Sequence, residues 1–172
     1  MKIYLIGYMS SGKSTLGKTL ANRLQLKFID IDEAFEAKYH ISINDFFVKF
    51  GEEKFRELEH QLLISFANIE DTVISTGGGT PCYYNNIDII NENGISIYLK
   101  LHPKSIISRL KASKKQRPLI KDMENQTFED YIENHLNSRE IFYNKAQHII
   151  KSENLTINEL MLFVKDNITE KE

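Results

Sequence analysis

A single cysteine, Cys82, is all the thiol chemistry the chain carries. It excludes an internal disulfide and a cysteine-rich zinc site, and the five histidines show no metal-ligand spacing such as HExxH. Cys82 is expected to be a small packed or partly exposed thiol. Charge of one sign is also scarce: 22 Lys and Arg against 24 Asp and Glu leave a formal net charge of −2. That balance lacks the electrostatic footprint needed to bind nucleic acid or an acidic membrane, so any anionic ligand must be held by local groups. Long apolar runs are missing too. The opening "MKIYLIGYM" is too brief for a signal peptide and leads into a glycine loop, and no stretch approaches the length that spans a bilayer. The expectation is a cytoplasmic protein with no nucleic-acid or membrane partner. Three prolines are too few to mark a linker, and no repeat or low-complexity segment occurs.

What is present reads as one globular domain: 172 residues, 41% hydrophobic and 27% charged, are enough to bury a core. The β-rich runs "KIYLI", "KFID", "TVIST", "ISIYLKL" and "HIIK" alternate with segments of helical periodicity, which predicts an α/β fold with a central parallel sheet flanked by helices on both faces. Helices are expected from Ser14 to about Leu24, Glu33 to Tyr39, Glu52 to Asn68, Tyr84 to Glu92, Lys104 to Leu110, Phe128 to Tyr143 and Ile157 to Asp166. Between Lys111 and Asn125 the sequence "KASKKQRPLIKDMEN" has no sustained periodicity; a segment of this kind in a compact domain suits a mobile lid.

The stretch "GYMSSGKST" fits Gly7-x-x-x-x-Gly12-Lys13-Ser14, a phosphate-binding P-loop, in the context that supports it: a strand before and a helix after. Its glycines let backbone N–H groups turn inward as an anion nest, at the positive end of the following helix. Lys13 brings a mobile charge to the terminal phosphates, and the Ser14 hydroxyl is a ligand for the magnesium that bridges them. Ser10, Ser11 and Thr15 complete the loop. The donor is therefore expected to be a nucleoside triphosphate with Mg2+.

Three further features concern the group that receives the phosphate. In "FIDID", Asp30 and Asp32 lie two apart at the end of a strand, so in extended chain both carboxylates point to one side, beside the P-loop. They can hold magnesium through water, and one can orient or deprotonate an acceptor hydroxyl; the alternative is that Asp32 only caps the next helix. The run "TVIST" ends without the acid that P-loop proteins often place there. Arg139 falls on an apolar helical stripe through Phe128, Ile132, Leu136 and Phe142, where a guanidinium needs an anionic partner from protein or ligand. Arg56 has Glu52 at i−4 and Glu59 at i+3, which would also suit ordinary surface pairing. Two arginines able to fork onto a carboxylate suit an acidic metabolite. Finally, Gly77, Gly78 and Gly79 in "STGGGT" remove side chains where other groups approach the backbone, or form a flexible turn.

Taken in order, "GYMSSGKST", "DID", "FGEEKFRELE", "STGGGTP", "QRPL" and "SREIFYNKA" resemble the shikimate kinase family of nucleoside monophosphate kinase-like P-loop proteins, over nearly the whole chain. The resemblance implies transfer of the γ-phosphoryl of ATP to the 3-hydroxyl of shikimate, with acceptor-binding helices over about 33–68 and a lid over about 111–125; no partner chain is indicated in the sequence, and a monomer is expected. It assigns Asp32, Arg56, Arg139 and the Gly77–Gly79 backbone to shikimate, the arginines on its carboxylate and Asp32 on its ring hydroxyls, with Phe47 and Phe55 lining the pocket. Arg117 becomes the lid arginine over the nucleotide phosphates and Arg109 the residue packed on adenine. Ser14, Asp30 and Asp32 would position magnesium. Ser10, where many members have glycine, and "TPCYY" after Gly79 depart from the pattern and imply altered loop stiffness or pocket shape. The rival expectations are a related kinase for another acid such as gluconate, and a nucleotide-binding regulatory module without transfer activity.

Overall fold

The computed structural model describes residues 1–112 and 125–168. Five strands, β1 (Lys2–Ile6), β2 (Lys27–Asp30), β3 (Thr72–Ser75), β4 (Ile95–Lys100) and β5 (His148–Lys151), form one all-parallel sheet in the order β2-β3-β1-β4-β5. These are the five runs picked out by their β-branched and aromatic content. The connections contain helices α1 (Lys13–Leu24), α2 (Ile31–Tyr39), α3 (Ile43–Ser65), α4 (Asn86–Asn93), α5 (Pro103–Ala112) and α6 (Asn125–Tyr143), and α7 (Ile157–Ile168) follows β5.

Strand alternation distributes the core over two faces. Ile3, Leu5, Val73, Ile97 and Leu99 pack with Leu20 and Ala21 of α1 and Leu160 and Val164 of α7. Tyr4, Ile6, Ile74 and Tyr98 face the other way, toward the apolar sides of α2 to α6. All five residues of β1 are buried, as a central strand covered on both faces requires.

Two helices differ from expectation. Helix α3 begins at Ile43 instead of near Glu52, and Gly51 (φ 81°, ψ 169°) kinks it into an Ile43–Phe50 arm and a longer segment. The arm is capped by the Ser42 hydroxyl, which accepts from the Asp45 amide at 3.1 Å. Helix α6 buries Phe128, Ile132, Leu136 and Tyr143, while Phe142 is only half buried. The stripe thus continues at seven-residue spacing from Leu136 into Tyr143, and Arg139 sits on its flank between them. The expected helical ends near Leu110 and Phe128 extend to Ala112 and Asn125; residues 113–124 of the expected lid, Arg117 included, lie outside the described residues. Among the described residues no helix is long and apolar enough to cross a membrane.

An aromatic cluster joins α2 to both parts of α3: the Phe35 ring lies 5.1 Å from Phe46 and 4.7 Å from Phe55. Phe35 is fully buried, so Phe35→Ala is expected to cost about 3–5 kcal/mol, read as a lower urea midpoint with unchanged m-value.

Candidate active site

All strands point their carboxyl ends to one edge, and the candidate residues among the described ones lie toward it. Gly12 caps α1 with φ 95°, a left-handed conformation that favours glycine, and no acidic side chain occupies the first turn of the helix. Its positive end therefore remains available to an anion. Lys13 is buried and donates to the carbonyls of Gly7 (2.8 Å) and Tyr8 (2.9 Å). Ser10 holds φ 63°, a left-handed position for a residue with a side chain, which explains physically why glycine suits that place. The buried Ser11 hydroxyl has no hydrogen-bond partner among the described residues. Thr15 is exposed one position beyond Ser14. Arg109, near the end of α5, reaches the loop by donating from Nη1 to the Ser10 carbonyl at 3.1 Å.

The two aspartates are arranged differently from expectation. The chain does not stay extended: β2 stops at Asp30, and Asp30, not Asp32, is the N-cap of α2, its Oδ1 accepting from the amides of Asp32 (3.0 Å) and Glu33 (3.4 Å). Its other oxygen accepts from the Ser14 hydroxyl at 2.6 Å. Asp30 is paired in register with Ser75, whose hydroxyl lies 3.4 Å from that of Ser14. Ser75 thus stands where the missing acid of "TVIST" would be. Asp32 rides one helical step onward, its Oδ1 toward Gly77. Its carboxyl is pushed up to about 6, first by burial, then by the charges of Asp30 and Glu59, against the opposing pull of Lys13 and Arg56. The residue still meets water along the crevice, which tempers the size of the rise without changing its direction.

The triple glycine is a seat for charged side chains. A methyl group built onto Gly77 would lie 2.6 Å from Asp32 Oδ1, one on Gly78 3.3 Å from Arg139 Nη1, and one on Gly79 2.5 Å from Arg56 Nη1. Real Cβ atoms do not approach as closely as they would at the first and third positions, so a side chain there would displace Asp32 or Arg56, while the second position leaves a tight contact for Arg139.

Arg56 pairs with both glutamates, and it does so inside the protein. Its side chain is 9% exposed; Nη1 donates to Glu59 Oε2 at 2.9 Å, and Nε and Nη2 donate to Glu52 Oε1 at 3.1 and 2.9 Å. Glu59 is 1% exposed and also accepts from the Thr80 hydroxyl at 2.6 Å. The Arg56 guanidinium lies 4.2 Å from the ring centre of Tyr83 and 5.0 Å from that of Phe55; Phe47 stands further out, at 5.9 Å. Phe55 itself is buried in the aromatic cluster, and Phe47 is half buried against it. Arg139 is half buried over the Tyr8 ring at 5.6 Å, and the ion pairs among the described residues do not include it.

Several neighbours escaped sequence reasoning. Tyr143 donates to the Gly78 carbonyl at 2.6 Å, and the Tyr8 hydroxyl meets His135 Nδ1 at 2.7 Å. Burial, then the nearby Arg139 charge, pulls His135 down to about 4, so its imidazole is neutral at physiological pH. Tyr83 carried the one available signal, following the glycines in "TPCYY". Cys82 is a free, half-buried thiol pushed up to about 11, chiefly by burial.

A P-loop at the first strand of a parallel sheet, facing two arginines and an aspartate across a glycine seat, defines a P-loop phosphotransferase of the small-molecule kinase kind. The shikimate kinase family model matches residues 9–169. A shikimate kinase from Phocaeicola vulgatus is 42% identical over 154 residues, covering 90% of this chain and 88% of the relative. Among solved structures, a shikimate kinase from Bacteroides thetaiotaomicron superposes with a TM-score of 0.91 at 36% identity, covering 98% of both chains. One from Acinetobacter baumannii in complex with shikimate gives 0.87 at 30% identity, covering 99% of this chain and 94% of that one. The chain belongs to the shikimate kinase family.

Because folding raises the Asp32 pKa above its ordinary value of 3.8, the native state favours the protonated acid. The resulting stability is fully present below about pH 4 and is lost as pH rises through about 6. Asp32→Asn is expected to lack this loss, so its urea midpoint gains on the wild type between pH 4 and 7; parallel midpoint curves would contradict the shift.

Proposed function

We propose that the protein transfers the γ-phosphoryl group of ATP to the 3-hydroxyl of shikimate, giving shikimate 3-phosphate. The observation that carries this reading is the convergence of Asp32, Arg56 and Arg139 on the Gly77–Gly79 backbone opposite the P-loop, in a member of this family. Two guanidiniums suit the carboxylate of the acceptor, and a carboxylate with a raised pKa suits its hydroxyl.

The residues fit a magnesium ion. A hydroxyl and two carboxylates, Ser14, Asp30 and Asp32, offer the hard oxygen donors it prefers, and one or two protein ligands with phosphates and water are its usual shell. Among the described residues there is no cluster of three or more His, Cys, Asp or Glu with metal-binding geometry, and such a shell does not need one. When bound, the ion supplies positive charge to the phosphates.

The side chains of the protein divide the remaining work. The loop amides from Gly7 to Gly12, with Ser11, Ser14 and Thr15, hold the phosphates, and Lys13 leaves the Gly7 and Tyr8 carbonyls to follow the charge of the transferring group. Arg109 borders the loop at Ser10 and packs on the adenine, while Arg117 closes over the phosphates with the 111–125 lid, excluding water. Asp32 orients the acceptor hydroxyl and takes its proton. Phe47 and Phe55 form the apolar wall, and α2 with α3 supplies the acceptor side. The protein acts as a monomer in the cytoplasm, where ATP is available.

ADP release from Mg-ATP with shikimate, gluconate, a nucleoside monophosphate or no acceptor tests the reading; strong release with shikimate alone is expected, and release with a different acceptor overturns it. Arg139→Ala should raise the KM for shikimate about 10- to 100-fold while ATP binding persists. Lys13→Ala and Asp32→Ala should cut kcat by about 100-fold or more in folded protein, checked by circular dichroism.

A further inference from the structure

Arg56 has two carboxylate partners of unlike character. Glu59 is 1% exposed, and its two oxygens are committed, one to Arg56 Nη1 and the other to the Thr80 hydroxyl. Nothing from solution can replace it. Glu52, in contrast, is 51% exposed and sits at the edge of the crevice. One of its oxygens, Oε1, accepts from both remaining nitrogens of the guanidinium, Nε at 3.1 Å and Nη2 at 2.9 Å, and from the Tyr83 hydroxyl at 2.9 Å.

The Nε and Nη2 edge is the one that binds a carboxylate in a two-pronged fashion, one oxygen to each nitrogen. Glu52 satisfies it with one oxygen shared three ways, a poorer fit than an incoming acid can make. Exchange of one carboxylate for another leaves the charge count around Arg56 unchanged, so the buried guanidinium is never stripped of its partner. The released Glu52 side chain lies next to water, where its charge is readily solvated. The Tyr83 ring, 4.2 Å from the guanidinium carbon, holds the plane of the fork through the exchange.

Resting on the reading that Arg56 receives the carboxylate of the acceptor, we infer that Glu52 is a displaceable stand-in for that carboxylate: it occupies the fork of Arg56 in the free protein and gives it up when the acceptor binds. Acceptor affinity is then the difference between two acids competing for one arginine, and Glu52 sets it. The electrostatics of Glu52 agree. Burial raises its pKa, but hydrogen bonds from Tyr83 and Arg56, with the charges of Arg56 and Arg139, outweigh this and leave it lowered. It is therefore an anion at neutral pH, within the field of both arginines.

Calorimetric titration of shikimate into nucleotide-free protein tests the inference with four proteins: wild type, Glu52→Gln, Glu52→Asp and Glu53→Gln. Weakening the competitor should tighten binding about 3- to 10-fold in Glu52→Gln. Glu52→Asp, which keeps the charge but is one methylene shorter, should also bind more tightly than wild type. Glu53 is exposed and one position along; Glu53→Gln removes the same formal charge without touching Arg56 and should change binding less than two-fold. Equal or weaker binding by both Glu52 variants, the result expected if Glu52 merely positions Arg56, overturns the inference, as does an equal gain in Glu53→Gln. Failure of the wild type to bind shikimate at all would instead overturn the reading of the pocket on which it rests.

Discussion

Every strand of the sheet runs the same way, and that constraint governs what the rest of the molecule does. Parallel neighbours cannot be joined by tight turns, so each return crosses the sheet with helix in it. All five strand ends that lead into a new connection then share one edge, and the short stretches after β1, β2 and β3 come together there. The P-loop, the Asp30 cap and the glycine seat are those three stretches. Side-by-side pairing brings Asp30 and Ser75 level with each other and within reach of Ser14, so a donor site is assembled from elements some sixty residues apart by backbone register alone.

The acceptor half is built on a different principle, the management of charge out of water. A guanidinium as buried as Arg56 survives because Glu59 is fixed beside it and aromatic faces cover it. Asp32 is held in the opposite manner: burial first, and then the charges of Asp30 and Glu59, outweigh the pull of Lys13 and Arg56 and disfavour its ionised form. One group is neutralised by the fold and the other is left short of neutralisation. An acid whose charge is disfavoured by burial is well placed to accept a proton, and it belongs where a proton must be received.

Much of this was legible from residue types alone, for identifiable reasons. The five strands announce themselves through β-branched runs, and the P-loop through spacing that has few other physical uses. The geometry of Asp30 and Asp32 was misread because the turn into α2 occurs between them: an N-capping aspartate and an extended one look identical in sequence, and only the amides of Asp32 and Glu33 decide it. The arm over 43–50 is not legible because Gly51 interrupts the helical pattern, and the stripe ends on Tyr143, with Phe142 only half buried beside it. Tyr8, Tyr143 and His135 were not legible as site neighbours. Their roles arise from long-range contacts, such as Tyr8 to His135 across 127 positions, that no local pattern encodes.

The glycine seat couples three otherwise separate elements in a way that bears on how this pocket can change. Asp32 belongs to α2, Arg56 to α3 and Arg139 to α6, yet each rests on its own residue of a single tripeptide. Loss or gain of one residue there shifts the register of all three at once. The helices carry no such joint obligation, since each can trade its side chain while the other two keep their seats. Remodelling toward an acid of another shape therefore has an open route through the helices, while the loop acts as a template that successive variants inherit intact.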